Sequence, residues 1–115
     1  GLILKGETML KGAVSHQKNL IERLKKSPSY QQEYIKASIE ENFDMPEAIL
    51  LALKDVAEAR GYETFAKEAG LSQNALYKIL DENKDAKPRF ETIVQLFTAL
   101  GLKITVEPIP SFKVS

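Results

Sequence analysis

Apolar residues in this chain recur mostly three and four positions apart, so the pattern is helical along most of its length. Between His16 and Lys26, Leu20, Ile21 and Leu24 fall on one side of a stretch otherwise made of Lys, Arg, Gln and Glu, which predicts a short basic amphipathic helix. Ser27-Pro28 marks a boundary, because proline fits the first turn of a helix and Ser27 can act as its N-cap. The helix that follows, to about Asn42, groups Tyr30, Tyr34 and Ala37 on one face with Ile35 and Ile39 beside them, and needs a partner helix. Asp44-Met45-Pro46-Glu47 reads as a capping box, with Asp44 as N-cap and Glu47 reaching back. The helix it opens is apolar at Ile49, Leu50, Leu53, Val56 and Ala57, ends at Gly61, and is expected to be the central core helix.

Two short helical stretches, about 63–69 and 73–81, flank Gly70-Leu71-Ser72, and the polar run from Glu82 to Pro88 is a loop by composition. A last helix starts near Phe90, carries Phe90, Ile93, Val94, Phe97 and Leu100 as a core stripe, and stops at Gly101. Leu102-Lys103-Ile104-Thr105-Val106 alternates with period two, which predicts a short strand. A lone strand is not stable, so this one is expected to pair with its copy in a two-fold partner. The whole predicts an all-α fold: a five- to six-helix bundle containing a helix-turn-helix, with a short C-terminal β-strand. Residues 1–27 are expected to form an N-terminal extension with the basic helix, 28–110 the helix-turn-helix domain with its motif at 62–80, and 111–115 a tail.

At 115 residues the chain is long enough for one core and too short for two. Lys+Arg and Asp+Glu both number 16, so no basic excess points to nucleic acid. The balance is uneven, however: residues 1–27 carry six basic residues against two acids, and residues 28–60 carry three against seven. The absence of cysteine excludes disulfides and thiolate metal sites. No apolar run approaches the roughly 18 residues of a membrane span, and Gly1-Leu2-Ile3-Leu4 is too short for a signal peptide, so a cytoplasmic protein is expected.

The informative segment runs from Tyr62 to Leu80. Two helices that cross tightly need a small residue on the first, here Ala66, and a turn residue that tolerates positive φ, here Gly70. Phe65, Ala69, Leu71, Leu76 and Ile79 supply the apolar contacts beneath, and Ser72 is a ready N-cap for the second helix. If that helix lies in a major groove, Gln73, Asn74, Tyr77 and Lys78 are the residues able to reach base edges. Side-chain amides suit adenine, discriminating by roughly 1–3 kcal/mol per bidentate pair, so adenines are expected in the half-site. Thr64, near the start of the first helix, could hold a phosphate or merely cap. Lys84, Lys87 and Arg89 follow, where they could neutralise phosphates or, for Arg89, enter a narrowed minor groove.

Residues 62–101 resemble the Cro/repressor (XRE-like) family of phage helix-turn-helix proteins, and Lys87-Pro88-Arg89-Phe90 with Ala99-Leu100-Gly101 resembles the corresponding stretch of lambdoid repressors. From Tyr34 through Pro108 the chain is similar to the addiction-module antidote proteins, HigA-like antitoxins. That similarity rests on Ala37-Ser38-Ile39-Glu40-Glu41-Asn42, Ala52-Leu53-Lys54-Asp55-Val56-Ala57, the helix-turn-helix, and Ala99-Leu100-Gly101-Leu102-Lys103-Ile104-Thr105-Val106-Glu107-Pro108. The resemblance implies a lambda-repressor-like DNA-binding domain over 28–110, in a homodimer that represses its own operon at a double-stranded DNA operator and neutralises a RelE-type toxin. Glu33, Glu40, Glu41, Asp44 and Glu47 would then face the basic toxin.

Competing readings use the same residues. Ala66, Gly70 and Leu76 also fit an ordinary helical hairpin, and Gln73, Asn74 and Lys78 a solvated face. The protein could accordingly be a stand-alone phage-type repressor, or a protein-interaction module with no affinity for DNA, as its zero net charge would suit. Tyr77 is evenly divided between packing and a phosphate contact. His16 is the sole histidine, so neither a metal nor a cofactor is expected. Glu40-Glu41 and Asp81-Glu82 diverge on a helix and do not make a catalytic dyad, and no Ser-His-Asp set or Gly-rich phosphate loop is present, so no enzymatic activity is expected.

Overall fold

Every apolar stripe that the spacing predicts becomes a helix in the computed structural model, which describes residues 15–82 and 87–110. Residues 15–26 are helical (α1). They are followed by α2 (Pro28–Glu41), α3 (Pro46–Arg60), α4 (Tyr62–Ala69), α5 (Gln73–Tyr77), a π turn (Lys78–Glu82) and α6 (Phe90–Ala99). The second half of the helix expected over 73–81 is therefore a wider turn. Helix α2 packs on α3; α3 also meets α4 and the π turn; α4 lies against both α5 and α6.

Each helix sends at least one side chain to a common centre. Leu24 of α1, Ile35 of α2, Leu53 and Val56 of α3, Phe65 of α4, Leu76 of α5 and Leu96 of α6 are all sealed from solvent. Burying a side chain of this size contributes roughly 1.5–3 kcal/mol, so the seven residues fix the arrangement of all six helices. Leu20 and Ile21 pack beside Leu24, so the apolar side of α1 faces the core as its spacing predicts.

Polar side chains cross this core at two points. Buried Asp55 of α3 accepts from the Gln17 amide at 2.8 Å and the Tyr34 hydroxyl at 2.6 Å, joining α1, α2 and α3. Burial and the Asp55 carboxylate together push the Tyr34 phenol well above its ordinary range. Buried Gln31 donates to the Leu24 carbonyl at 2.8 Å and accepts from Arg60 at 2.7 Å, and Arg60 in turn pairs with Glu68. Both links satisfy groups that would be costly to leave dry and unpaired.

Four local expectations are corrected. Asp44 does not cap α3: Met45 occupies the N-cap position with no side-chain bond, and Pro46 is the first helical residue. Proline's preference for that position moves the helix start one residue past the box. On α2, Gln31 is buried with Ile35 while Ala37 is exposed; the Gln31 amide finds hydrogen-bond partners in the Leu24 carbonyl and in Arg60. On α6 the buried stripe is Leu96, Phe97 and Leu100 with Ile93 partly covered, whereas Phe90 is 71% exposed and Val94 38% exposed. Helix α6 packs on α4, whose eight residues span only ~12 Å, so the start of α6 runs past its cover. Finally, no strand occurs among the described residues, and 102–106 lack the neighbouring edge that a ladder requires.

Candidate nucleic-acid interface

The segment from Tyr62 to Lys78 is built on sterics. Ala66 is buried at the contact of α4 with its neighbours, and Gly70 turns the chain at φ 74°, ψ 29°. That left-handed conformation disfavours a side chain, which is why glycine occupies the turn. Leu71 N–H donates to the Ala66 carbonyl at 2.8 Å and closes α4. The Ser72 hydroxyl then accepts from Ala75 N–H at 3.1 Å, so its expected N-cap role is present. Leu76 is fully buried and anchors α5, while Leu71 packs at the edge of the core.

With Leu76 inward, Gln73 and Asn74 are exposed on the first turn of α5, and Lys78 is exposed where the π turn begins. None of the three makes a side-chain hydrogen bond or ion pair among the described residues. Ser72 is also exposed, although its hydroxyl is engaged in the cap. Thr64 is exposed on α4, and Lys87 and Arg89 are exposed in the segment leading to α6. Lys84 lies outside the described residues.

Tyr77 is half-buried and stacks on Tyr62, with ring centroids 4.1 Å apart and planes parallel. The stack ties α5 to the start of α4, and the sequence reading missed Tyr62's part in it. Burial, with the charges of Asp81 and Glu58 nearby, raises the Tyr62 phenol well above its usual range. Asp81 in the π turn pairs with Lys54 of α3 at 3.0 Å, and this bond raises the pKa of the Lys54 ammonium. The surface around α5 is thus locked from below by Leu76, Tyr62 and Asp81, while its outward amides and ammonium have no partner among the described residues.

The chain matches the family model described as "probable addiction module antidote protein" over residues 17–108. It belongs to this family. The chain is 39% identical over 64 residues to a protein of Haemophilus influenzae described as uncharacterized; the alignment covers 56% of this chain and 64% of that one, so this chain spans somewhat under two thirds of the relative. No solved structure matches the chain. Among the described residues, no group of three or more His, Cys, Asp or Glu is gathered as metal ligands. Nor is any described helix long and apolar enough to cross a membrane.

Proposed function

We propose that this antidote protein is the antitoxin of a two-gene addiction module and the repressor of its own operon. It acts in the cytoplasm as a homodimer, using α4 and α5 as a helix-turn-helix on DNA and engaging a RelE-type toxin elsewhere on its surface. The observation that carries the DNA reading is the pairing of buried Ala66 and left-handed Gly70 with exposed Gln73, Asn74 and Lys78. An inward-anchored helix with free amides at its N-terminal end has the chemistry to read adenine edges. Thr64, Ser72, Tyr77, Lys84, Lys87 and Arg89 would contribute phosphate contacts around it.

A second reading, a protein-interaction module without DNA affinity, is favoured by the net charge of zero. Titrating the protein against a labelled fragment of its own promoter, at several salt concentrations and beside a scrambled fragment, separates the two. A repressor binds its own fragment selectively and loses affinity as salt rises. No binding at low salt, or equal binding to both fragments, defeats the repressor reading.

A further inference from the structure

Three large apolar side chains stand in solvent within nine residues at the corner where α2 turns into α3: Phe43 is 53% exposed, Met45 50% and Leu51 60%. Single exposed apolar residues are ordinary, but a cluster of this kind marks a place where something docks. The corner is also held rigidly. Asn42 bonds back to the Ser38 carbonyl through both its backbone and its side-chain amide, each at 3.0 Å. Met45 N–H donates to the Asn42 carbonyl at 2.9 Å, and Ala48 N–H donates to the Met45 carbonyl at 3.0 Å. A turn closed at both ends gives Phe43 and Met45 no route inward, and a surface ordered in advance loses little freedom on binding.

The frame around these side chains has one sign. Glu40, Glu41, Asp44 and Glu47 are all exposed, and none has an ion-pair partner among the described residues. Glu47 and Leu51 lie four apart on α3 and so share its outer face. From residue 28 to residue 53 there are five acids and one base, in a chain whose charges sum to zero overall. This charge selects among occupants. A nucleic-acid backbone or an anionic membrane would be repelled, and a second copy docked about a two-fold axis would set carboxylates against carboxylates. A basic protein surface is the remaining fit. The other exposed apolar residues, Phe90, Val94, Ile104, Val106 and Ile109, have no frame of a single sign and carry no such argument.

Resting on the antitoxin reading, we infer that the α2–α3 corner is the docking surface for the module's toxin: Phe43, Met45 and Leu51 enter an apolar cleft that the toxin borders with Lys and Arg, opposite Glu40, Glu41, Asp44 and Glu47. The DNA-reading face of α5 is left out of this contact.

The test measures Kd between this protein and the purified product of the reading frame adjacent to its gene. Three forms are compared: the unaltered chain, Phe43→Ser with Met45→Ser, and Glu40→Lys with Glu41→Lys. Serine at position 45 falls at the α3 N-cap, where it favours the fold. Both variants replace exposed side chains, and the charge-reversed pair stands as an independent probe should the apolar pair fold poorly. Each is expected to weaken binding by at least about tenfold, as loss of interface anchors does, while Lys78→Ala binds as the unaltered chain does. If the unaltered chain binds and both variants match its Kd, the surface is misassigned and the antitoxin reading stands. If the unaltered chain itself does not bind that product, the antitoxin reading falls, and this surface with it.

Discussion

Two glycines with nearly the same φ make a controlled experiment. Gly70 has φ 74° and Gly101 has φ 77°, and each closes a helix by the same bonding pattern: Leu71 N–H to the Ala66 carbonyl in one case, Leu102 N–H to the Phe97 carbonyl in the other, both at 2.8 Å. Their surroundings differ. A Cβ on residue 70 would meet the Gln95 amide nitrogen at 3.7 Å, an ordinary contact, whereas one on residue 101 would lie 2.8 Å from the Gln32 amide nitrogen. That nitrogen donates to the Leu100 carbonyl at 2.8 Å, so Gln32 cannot move without breaking its bond between α2 and the end of α6. Gly70→Ala should therefore cost only the strain of a side chain in the left-handed region, roughly 1–2 kcal/mol. Gly101→Ala should cost the same strain plus the lost hydrogen bond, another ~0.5–1.5 kcal/mol. Equilibrium urea unfolding measures both, and a double-mutant cycle isolates the second contribution. In a Gln32→Ala background the cost of Gly101→Ala should fall to that of Gly70→Ala. Equal costs in the unaltered background, or a gap that survives removal of Gln32, would refute this account.

Lys78→Ala should weaken binding to the promoter fragment and reduce its salt dependence while changing stability by no more than about 0.5 kcal/mol; a loss of several kcal/mol on denaturation would mean that Lys78 is not on an outward face. Asp55→Ala removes the shared acceptor of Gln17 and Tyr34 and should cost roughly 1–3 kcal/mol, with faster amide hydrogen exchange in residues 15–26; unchanged exchange there would show that the Gln17 bond does not hold α1. Leu76 is fully buried, so Leu76→Ala should cost roughly 2–5 kcal/mol on urea unfolding, and a loss below 1 kcal/mol would contradict its anchoring of α5. Tyr34 and Tyr62 both keep their protons more tightly when folded, so stability is fully present below about pH 10 and declines as pH rises further and the unfolded chain ionises first. Urea midpoints across that range, followed with phenolate absorbance, should show these two ionising only as the chain unfolds.

The features legible in the sequence are those set by neighbours in the chain. Ser27 and Ser72 cap as their positions predict, each accepting from the amide three residues on, because a cap depends only on the turn that follows it. Ala66, Gly70 and Leu76 also stand where the pattern puts them, and with them the outward side of α5. What escaped notice depends on contacts far along the chain. Gln31, Asp55 and Arg60 look like ordinary solvated positions by composition, yet they meet partners between 7 and 38 residues away. A periodic pattern marks polar residues as outward and has no way to register such pairing. Phe90 shows the complementary error: spacing identifies a helix face but not how far a neighbour extends along it. At the candidate site, the two readings of Tyr77 were undecided because a tyrosine suits either, and the Tyr62 ring beneath it is visible only in three dimensions.

Helix α5 is five residues long, well below the length at which a helix holds together in water by itself. Its shape is imposed from outside, by the pocket that receives Leu76 and the ring under Tyr77. A synthetic peptide copying 72–82 would accordingly be a random chain, and transplanting Gln73, Asn74 and Lys78 onto another scaffold would transfer their chemistry but not their spacing. The smallest portable unit that keeps these side chains in register runs back through α4 to Tyr62 and brings with it the floor of α3.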